Sequence, residues 1–396
     1  MDLRLKQLII LFIITLIFFV PTFVKTDPPL AGMDTYFFLN HIYDKYDDGL
    51  KDAPFLGKII FNNLPANMLV IKIIMFVVCF LSIVIFGEIG KLYSKNYGWL
   101  AGALLFTGFY FGQIFFRLED DLFGLPVLFL GWLLIAKMNE IYDKEKWTHP
   151  IYLIGGIGLI IMSVFIWKFA VFFLFALFFT SYLDKKWKFQ NLYWLVIIPV
   201  ILIYHKILFW AIIPNSNVSE NTFFFVTGIF SLCVIIFAYA KNFRIERNWI
   251  AILVFTALTI INFKFIIVLY PFLVLNIVKG LESTTHNLKN IIILFLCLIF
   301  LLITINNFNA IPNKHHYELL DIHQSYNKLN NTNYKEDVNW GFGWFYIFMT
   351  EKETQNYRSY KPTPNEGLIM TYKNDPDVNH CELVFENLAG EVRLCQ

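Results

Sequence analysis

The sequence predicts an α-helical, multi-pass membrane protein of about eleven spans with a small mixed α/β domain at its carboxyl end. Three observations predict it. The 396 residues are 57% hydrophobic, 19% aromatic and only 16% charged, where a soluble domain carries roughly a quarter charged residues. Apolar runs long enough to cross a bilayer recur along most of the chain. The final stretch is instead polar and rich in turn signals, such as Lys361-Pro362-Thr363-Pro364-Asn365 and Asn374-Asp375-Pro376. This balance, with a mean hydropathy of +0.57, excludes a soluble enzyme and a disordered chain. A net charge of only +2 excludes a nucleic-acid binder.

The apolar runs lie near 7–24, 67–90, 97–116, 122–138, 150–167, 169–183, 192–213, 222–240, 249–262, 265–281 and 290–307. Two pairs, 150–183 and 249–281, are interrupted only by Lys168 and Lys264. Each pair exceeds about 30 residues, too long for one helix in a bilayer, so each is expected to be a tight hairpin. The loop charges agree. With the amino terminus cytoplasmic, Arg4, Lys6, Lys91, Lys95, Lys137, Lys144, Lys146, Lys185, Lys186, Lys188, Lys241, Arg244, Arg247, Lys279 and Lys289 all fall inside. The outer side then holds the loop 25–66, the short turns carrying Arg117, Lys168 and Lys264, and the terminal domain 308–396, which leaves 1–307 as the membrane domain.

The first run follows a basic start but exits through Val20-Pro21-Thr22-Phe23-Val24-Lys25, which offers no small-residue cleavage pattern, so an uncleaved helix is expected. Two sequons, Asn217-Val218-Ser219 and Asn330-Asn331-Thr332, fall outside by this topology and would report orientation. Cys79, Cys233 and Cys297 sit in spans and read as small hydrophobes. Cys381 and Cys395 bracket a short polar stretch of the external domain, where an oxidising compartment favours a disulfide. His315-His316 is an adjacent pair that does not easily offer both rings to one ion.

The scarce outer charges form three candidate features. Arg117-Leu118-Glu119-Asp120-Asp121 sits between the third and fourth runs. Three consecutive carboxylates repel one another unless a cation joins them, and an oxygen-rich set suits Mg²⁺ or Mn²⁺; the bland alternative is a solvated turn. Asp34, in Ala31-Gly32-Met33-Asp34-Thr35-Tyr36, precedes an apolar-periodic stretch. Alone it reads as a helix N-cap; beside the second acidic cluster it is a candidate for a shared metal or substrate site. Lys206 lies inside the seventh run, about 10 Å from its outer end at 1.5 Å per residue, where a lysine faces a polar cavity or snorkels. With Arg117, Lys168 and Lys264 it is a candidate anion site for a lipid-linked phosphate; headgroup anchoring is the alternative for the three rim residues.

An external Gly-x-Asp-x-Tyr after the first span, followed by an acidic cluster between spans three and four, resembles the GT-C membrane glycosyltransferases. The nearest likeness is to archaeal relatives of oligosaccharyltransferase catalytic subunits. The resemblance implies that Asp34 matches the first catalytic aspartate. It implies that Glu119-Asp120-Asp121 matches a DxD-like motif, with Glu119 and Asp121 in its outer positions, and that Asp34, Glu119 and Asp121 are the ligands of any metal. Asn339-Trp340-Gly341-Phe342-Gly343-Trp344 is similar to the family's WWDYG acceptor motif, with Trp340 and Trp344 as acceptor-binding residues, but Gly341 stands where the family has aspartate. The family's late-loop carboxylate is also missing, since the turn there is Asn262-Phe263-Lys264. The likeness therefore carries the superfamily and not N-glycosylation.

What it implies is inverting transfer of a sugar from a polyprenyl (dolichyl) phosphate- or diphosphate-linked donor to a protein, glycan or lipid acceptor at the outer face of the cell membrane. Two rival expectations remain. One is a transporter or flippase of a lipid-linked or anionic solute, although no paired halves are visible. The other is an inert scaffold that keeps the fold.

Overall fold

A computed structural model describes residues 3–24, 33–43, 54–141, 149–182, 248–261, 265–310 and 314–329, and, beyond those, 336–339, 345, 348–349, 355–357, 367–371, 373, 378 and 380–395. The runs 192–213 and 222–240, both sequons, Lys206, Lys264, Trp340, Gly341 and Trp344 lie outside the described residues, as does the side chain of Asp34.

The amino-terminal part is a helical bundle. Its helices are α1 (Leu3–Val24), α2 (Met33–Ile42), α3 (Phe55–Asn62), α4 (Met68–Lys91), α5 (Leu100–Leu105), α6 (Phe109–Phe116), α7 (Asp120–Ile141), α8 (His149–Ile166) and α9 (Ala170–Tyr182). They are followed by α10 (Asn248–Ile261), α11 (Ile266–Ser283) and α12 (His286–Ala310). Helix α7 packs along α8 and α4, α1 along α4, and α12 against α6 and α1. Helices α1 and α4 are long and apolar enough to cross a bilayer.

The surface chemistry of these helices points the same way. On α12, Ile291, Leu294, Leu298, Leu301, Leu302 and Ile305 recur at helical spacing and are each between 49% and 63% exposed. A matching apolar face runs along α1 through Ile9, Ile13, Leu16 and Val20, and along α4 through Leu69, Ile73, Val77 and Leu81. Water does not tolerate contiguous apolar faces of this size; lipid does. These faces mark a membrane protein.

Each lysine-interrupted run holds two helices rather than one. Helix α8 ends at Ile166 and α9 begins at Ala170; α10 ends at Ile261 and α11 begins at Ile266. One expectation is amended. The run 97–116 is not a single helix but two, α5 and α6, with a break at Phe106–Gly108. Breaking a helix in an apolar surrounding exposes carbonyls that must find donors. Here Thr107 Oγ1 and the Tyr270 hydroxyl lie 2.6 Å apart, and both reach the Leu104 carbonyl, at 2.7 and 3.2 Å. Gly108 lets the Tyr270 ring come close: a Cβ there would overlap it.

The carboxyl-terminal part pairs α13 (Lys314–Leu329) with a five-stranded mixed sheet. The strands are β1 (Glu336–Asn339), β2 (Gln355–Tyr357), β3 (Gly367–Thr371), β4 (Glu382–Glu386) and β5 (Glu391–Cys395), in the order β2-β1-β3-β5-β4. β1 runs parallel to β2 and β3, whereas β5 is antiparallel to β3 and β4. Side chains alternate as a pleat requires. Leu368 and Met370 of β3, with Val392 and Leu394 of β5, pack on Leu319 and Leu320 of α13. Ile369 and Cys395 turn to the opposite side, where Val378 and Cys381 close a second small core. The Glu391 carboxylate meets Arg393 Nε at 2.9 Å and Nη2 at 3.0 Å, and Arg393 Nη1 donates to the Cys381 carbonyl at 2.9 Å.

The structure joins Cys381 to Cys395 in a disulfide across a sequence separation of 14. A core this small needs such a link. Cys381→Ser or Cys395→Ser should destabilise the terminal domain by about 3 kcal/mol, the loop-closure value for a ring of this size. Proteolysis of the folded protein under native conditions reads this out: cleavage after α13 should speed up in both variants, with α1 to α12 unaffected.

Candidate functional site

Two chain segments far apart in sequence meet at one end of the bundle. Helix α6 ends at Arg117, whose backbone is extended, and α7 starts at Asp120. The turn between them is held by α2: the Leu118 amide donates to Thr35 Oγ1 at 3.2 Å in a buried position. Thr35 follows Asp34 directly and Leu118 precedes Glu119 directly, so this bond sets the backbones of the two acidic motifs side by side. Asp34 itself is the second residue of α2, inside its first turn, not the residue before it. The helix begins two residues earlier than the N-cap reading expects.

Asp120 and Asp121 form the first turn of α7, ahead of the apolar run that opens at Leu122. Asp121 is 9% exposed, and its Oδ1 accepts the Leu122 amide at 2.8 Å. Arg117 faces Glu119 at 3.7 Å. Burial pushes the Asp121 carboxyl well above the usual carboxylate range. The charges of Glu119 and Asp120 push it further, against the Leu122 N–H and Arg117. Burial also raises Asp120, to about 6, opposed by the amides of Asp121 and Asp120 and by the Lys168 ammonium. Lys168, in the α8–α9 turn, therefore acts on the acidic cluster.

A carboxyl raised by burial stabilises the fold below its ordinary pKa and loses that contribution as pH rises through the folded value. Thermal stability should accordingly fall as pH is raised from about 4 to about 7, and Asp120→Asn should flatten that part of the profile. A melting series in detergent across this range checks it; an unchanged slope in Asp120→Asn contradicts it.

Helix α3 and the α8–α9 turn complete this end. A Cβ on Gly57 would touch the Ile166 carbonyl at 3.0 Å and the Asp120 Cβ at 3.9 Å, so α3 lies directly over the start of α7. Phe61 of α3 stacks on Phe38 of α2 at 4.2 Å and meets Phe123 of α7 at 5.7 Å. Gly124 of α7 abuts the Trp167 side chain. Phe265, the residue after Lys264, packs on Phe169 and Phe172 at 5.9 and 4.8 Å. Phe345, the residue after Trp344, is fully buried against Tyr36 with ring centroids 5.2 Å apart.

Arg117, Glu119, Asp121 and Lys168 thus share one end of the bundle with the backbone of Asp34. Lys206, Lys264, Trp340 and Trp344 are outside the described residues. Among the described residues, the three-member grouping of His, Cys and acidic ligand atoms is His380 with Cys381 and Cys395, and the disulfide occupies both sulfurs. Glu119 and Asp121 offer only oxygen and repel each other, a donor set that fits a hard divalent cation.

Three residues escape a reading of the sequence alone. Thr35 and Tyr36 stand inside the motif that contains Asp34, yet their roles depend on partners at Leu118 and Phe345. Lys72, near the start of α4, is 5% exposed although Leu69, Val70 and Ile73 around it are open. A lysine inside an apolar run is the signal that finds it.

No protein-family model and no curated protein sequence matches this chain. Among solved structures it is similar to the oligosaccharyltransferase of Archaeoglobus fulgidus, crystallised with an acceptor peptide containing the NVT sequon tethered to it by a disulfide bond. The superposition has a TM-score of 0.52 at 11% sequence identity, and covers 89% of this chain and 64% of that one. At this identity the likeness is one of fold.

Proposed function

We propose that this chain is an integral membrane glycosyltransferase of the GT-C type. It moves a sugar from a polyprenyl phosphate- or diphosphate-linked donor to a protein, glycan or lipid acceptor at the membrane surface that carries the acidic end of the bundle. The observation that carries the reading is the buried bond between Thr35 and Leu118, because it brings both acidic motifs to one place inside a fold like that of an oligosaccharyltransferase.

In this mechanism the donor enters sideways from the bilayer. Its phosphate lies against Lys168 and Arg117, with Lys206 and Lys264 completing the cationic set, and these charges stabilise the leaving group as the bond from the anomeric carbon to the phosphate oxygen breaks. Asp34 takes the proton of the acceptor hydroxyl or amide as its oxygen or nitrogen attacks the anomeric carbon from the opposite side, which inverts that centre. Trp340 and Trp344 hold the acceptor. Glu119 and Asp121, with Asp34, would hold a divalent cation such as Mg²⁺ or Mn²⁺, which would supply positive charge to the leaving phosphate.

A transporter would use the same charged residues as pathway groups. Counterflow in sealed vesicles separates the two. The transferase reading expects labelled sugar to move covalently onto an acceptor, with no accumulation of intact donor or free solute. Accumulation that is insensitive to changes at Asp34 and Asp121 would overturn it.

A further inference from the structure

Helix α2 is gripped from two directions. On one side Thr35 accepts the Leu118 amide of the acidic turn. On the other, an aromatic cluster ties it to the segment that enters the terminal sheet. Phe345 is fully buried, with its ring 5.2 Å from Tyr36 of α2 and 5.8 Å from Tyr317 of α13, and the His316 ring lies 6.4 Å away. Phe348 extends the contact, 5.4 Å from Tyr36 and 5.6 Å from Tyr43, which directly follows α2. Tyr36 is itself fully buried. The terminal domain thus reaches α2 through a ring-on-ring junction centred on the buried Phe345 and Tyr36, and α2 reaches the acidic turn through the buried bond from the Leu118 amide to Thr35. Close-packed rings transmit displacement because they leave no room to relax.

We propose that Phe345 is a positioning residue: wedged between Tyr36 and Tyr317, it sets α2 against the Arg117–Asp121 turn and couples the terminal domain to the acidic site. Filling the same space with a smaller side chain frees α2 to shift, and Asp34 and Thr35 shift with it. Phe345 acts through α2 and touches no substrate.

The kinetic test rests on the transferase reading; a second test does not. Phe345→Ala should lower the kcat of sugar transfer about tenfold, the scale of a lost aromatic pair, with the donor KM unchanged. Hydrogen exchange is measured on the full chain in detergent with Phe345→Leu, which preserves apolar bulk. The α2 amides and the Leu118 amide should exchange about tenfold faster, with α12 unchanged. Unchanged protection of α2 overturns the proposal, as does a loss of protection that extends equally to α12, since that is general unfolding. A wild-type kcat in Phe345→Ala also overturns it. If the wild-type protein transfers no sugar from any donor, the functional reading fails while the exchange result still decides the coupling.

Discussion

Asp121→Asn should abolish sugar transfer and yet yield a protein at least as stable as the wild type. The two effects have opposite signs for one physical reason. Asp121 is buried beside Glu119 and Asp120, and both neighbours disfavour its charge. Asparagine keeps the Oδ1 that accepts the Leu122 amide and removes the charge, so the helix start is retained and the repulsion relieved. Transfer loses a carboxylate that would hold the cation facing the leaving phosphate, a loss of about 10²–10³-fold on the scale of a deleted electrostatic group in an active site. Asp34→Asn should do the same by a different route. It removes the base, worth about 10²–10⁴-fold, with no change in folded yield. Melting temperature and transfer rate, measured on the same preparations, check both variants. A variant that loses activity only because it unfolds would show a lowered melting temperature.

Gly102→Leu should prevent the bundle from assembling. A Cβ at Gly102 would overlap the carbonyl oxygen of Ile83, and one at Gly90 would overlap the carbonyl oxygen of Gly98. These obstacles are backbone atoms on α4 and at the start of α5, which no rotamer change can move. Overpacking a core costs about 1–3 kcal/mol where side chains yield, and here the helices must separate. Even Gly102→Ala should cost about 3 kcal/mol, the upper end of that range. Gly158→Ala is the control: nothing lies within 4 Å of its Cβ position, and alanine is the better helix former by about 1 kcal/mol. Thermal melting in detergent should lower the midpoint for Gly102→Ala and leave or raise it for Gly158→Ala. The consequence extends to function, because α5 leads through α6 into the acidic turn.

The parts of this architecture set by local chemistry were legible in the amino-acid order. Apolar runs located nine helical stretches among the described residues, and Lys168 marked the place where α8 gives way to α9. The break inside 97–116 was not legible. It is tolerated only because Tyr270, 163 residues away from Thr107, helps to satisfy the freed carbonyl. The same holds at the site. Each acidic motif could be found by itself, but their proximity depends on a bond that spans 83 residues, and Phe345 on Tyr36 is a contact between two parts of the chain that share no sequence pattern. The mixed character of the terminal domain followed from its composition. Its strand order did not, because strands of three to five residues carry too little alternation to fix pairing.

In this mechanism the two acidic motifs act as one transferase site on a lipid-linked sugar. The most direct measurement follows a polyprenyl-linked sugar, radiolabelled in the sugar, in nanodiscs containing the full chain, scoring labelled acceptor together with the released polyprenyl phosphate or diphosphate. The wild-type protein should produce both in equal amounts, and Asp34→Asn and Asp121→Asn should produce neither. Wild-type yields from both variants would contradict the account, as would a wild-type protein that leaves every donor intact.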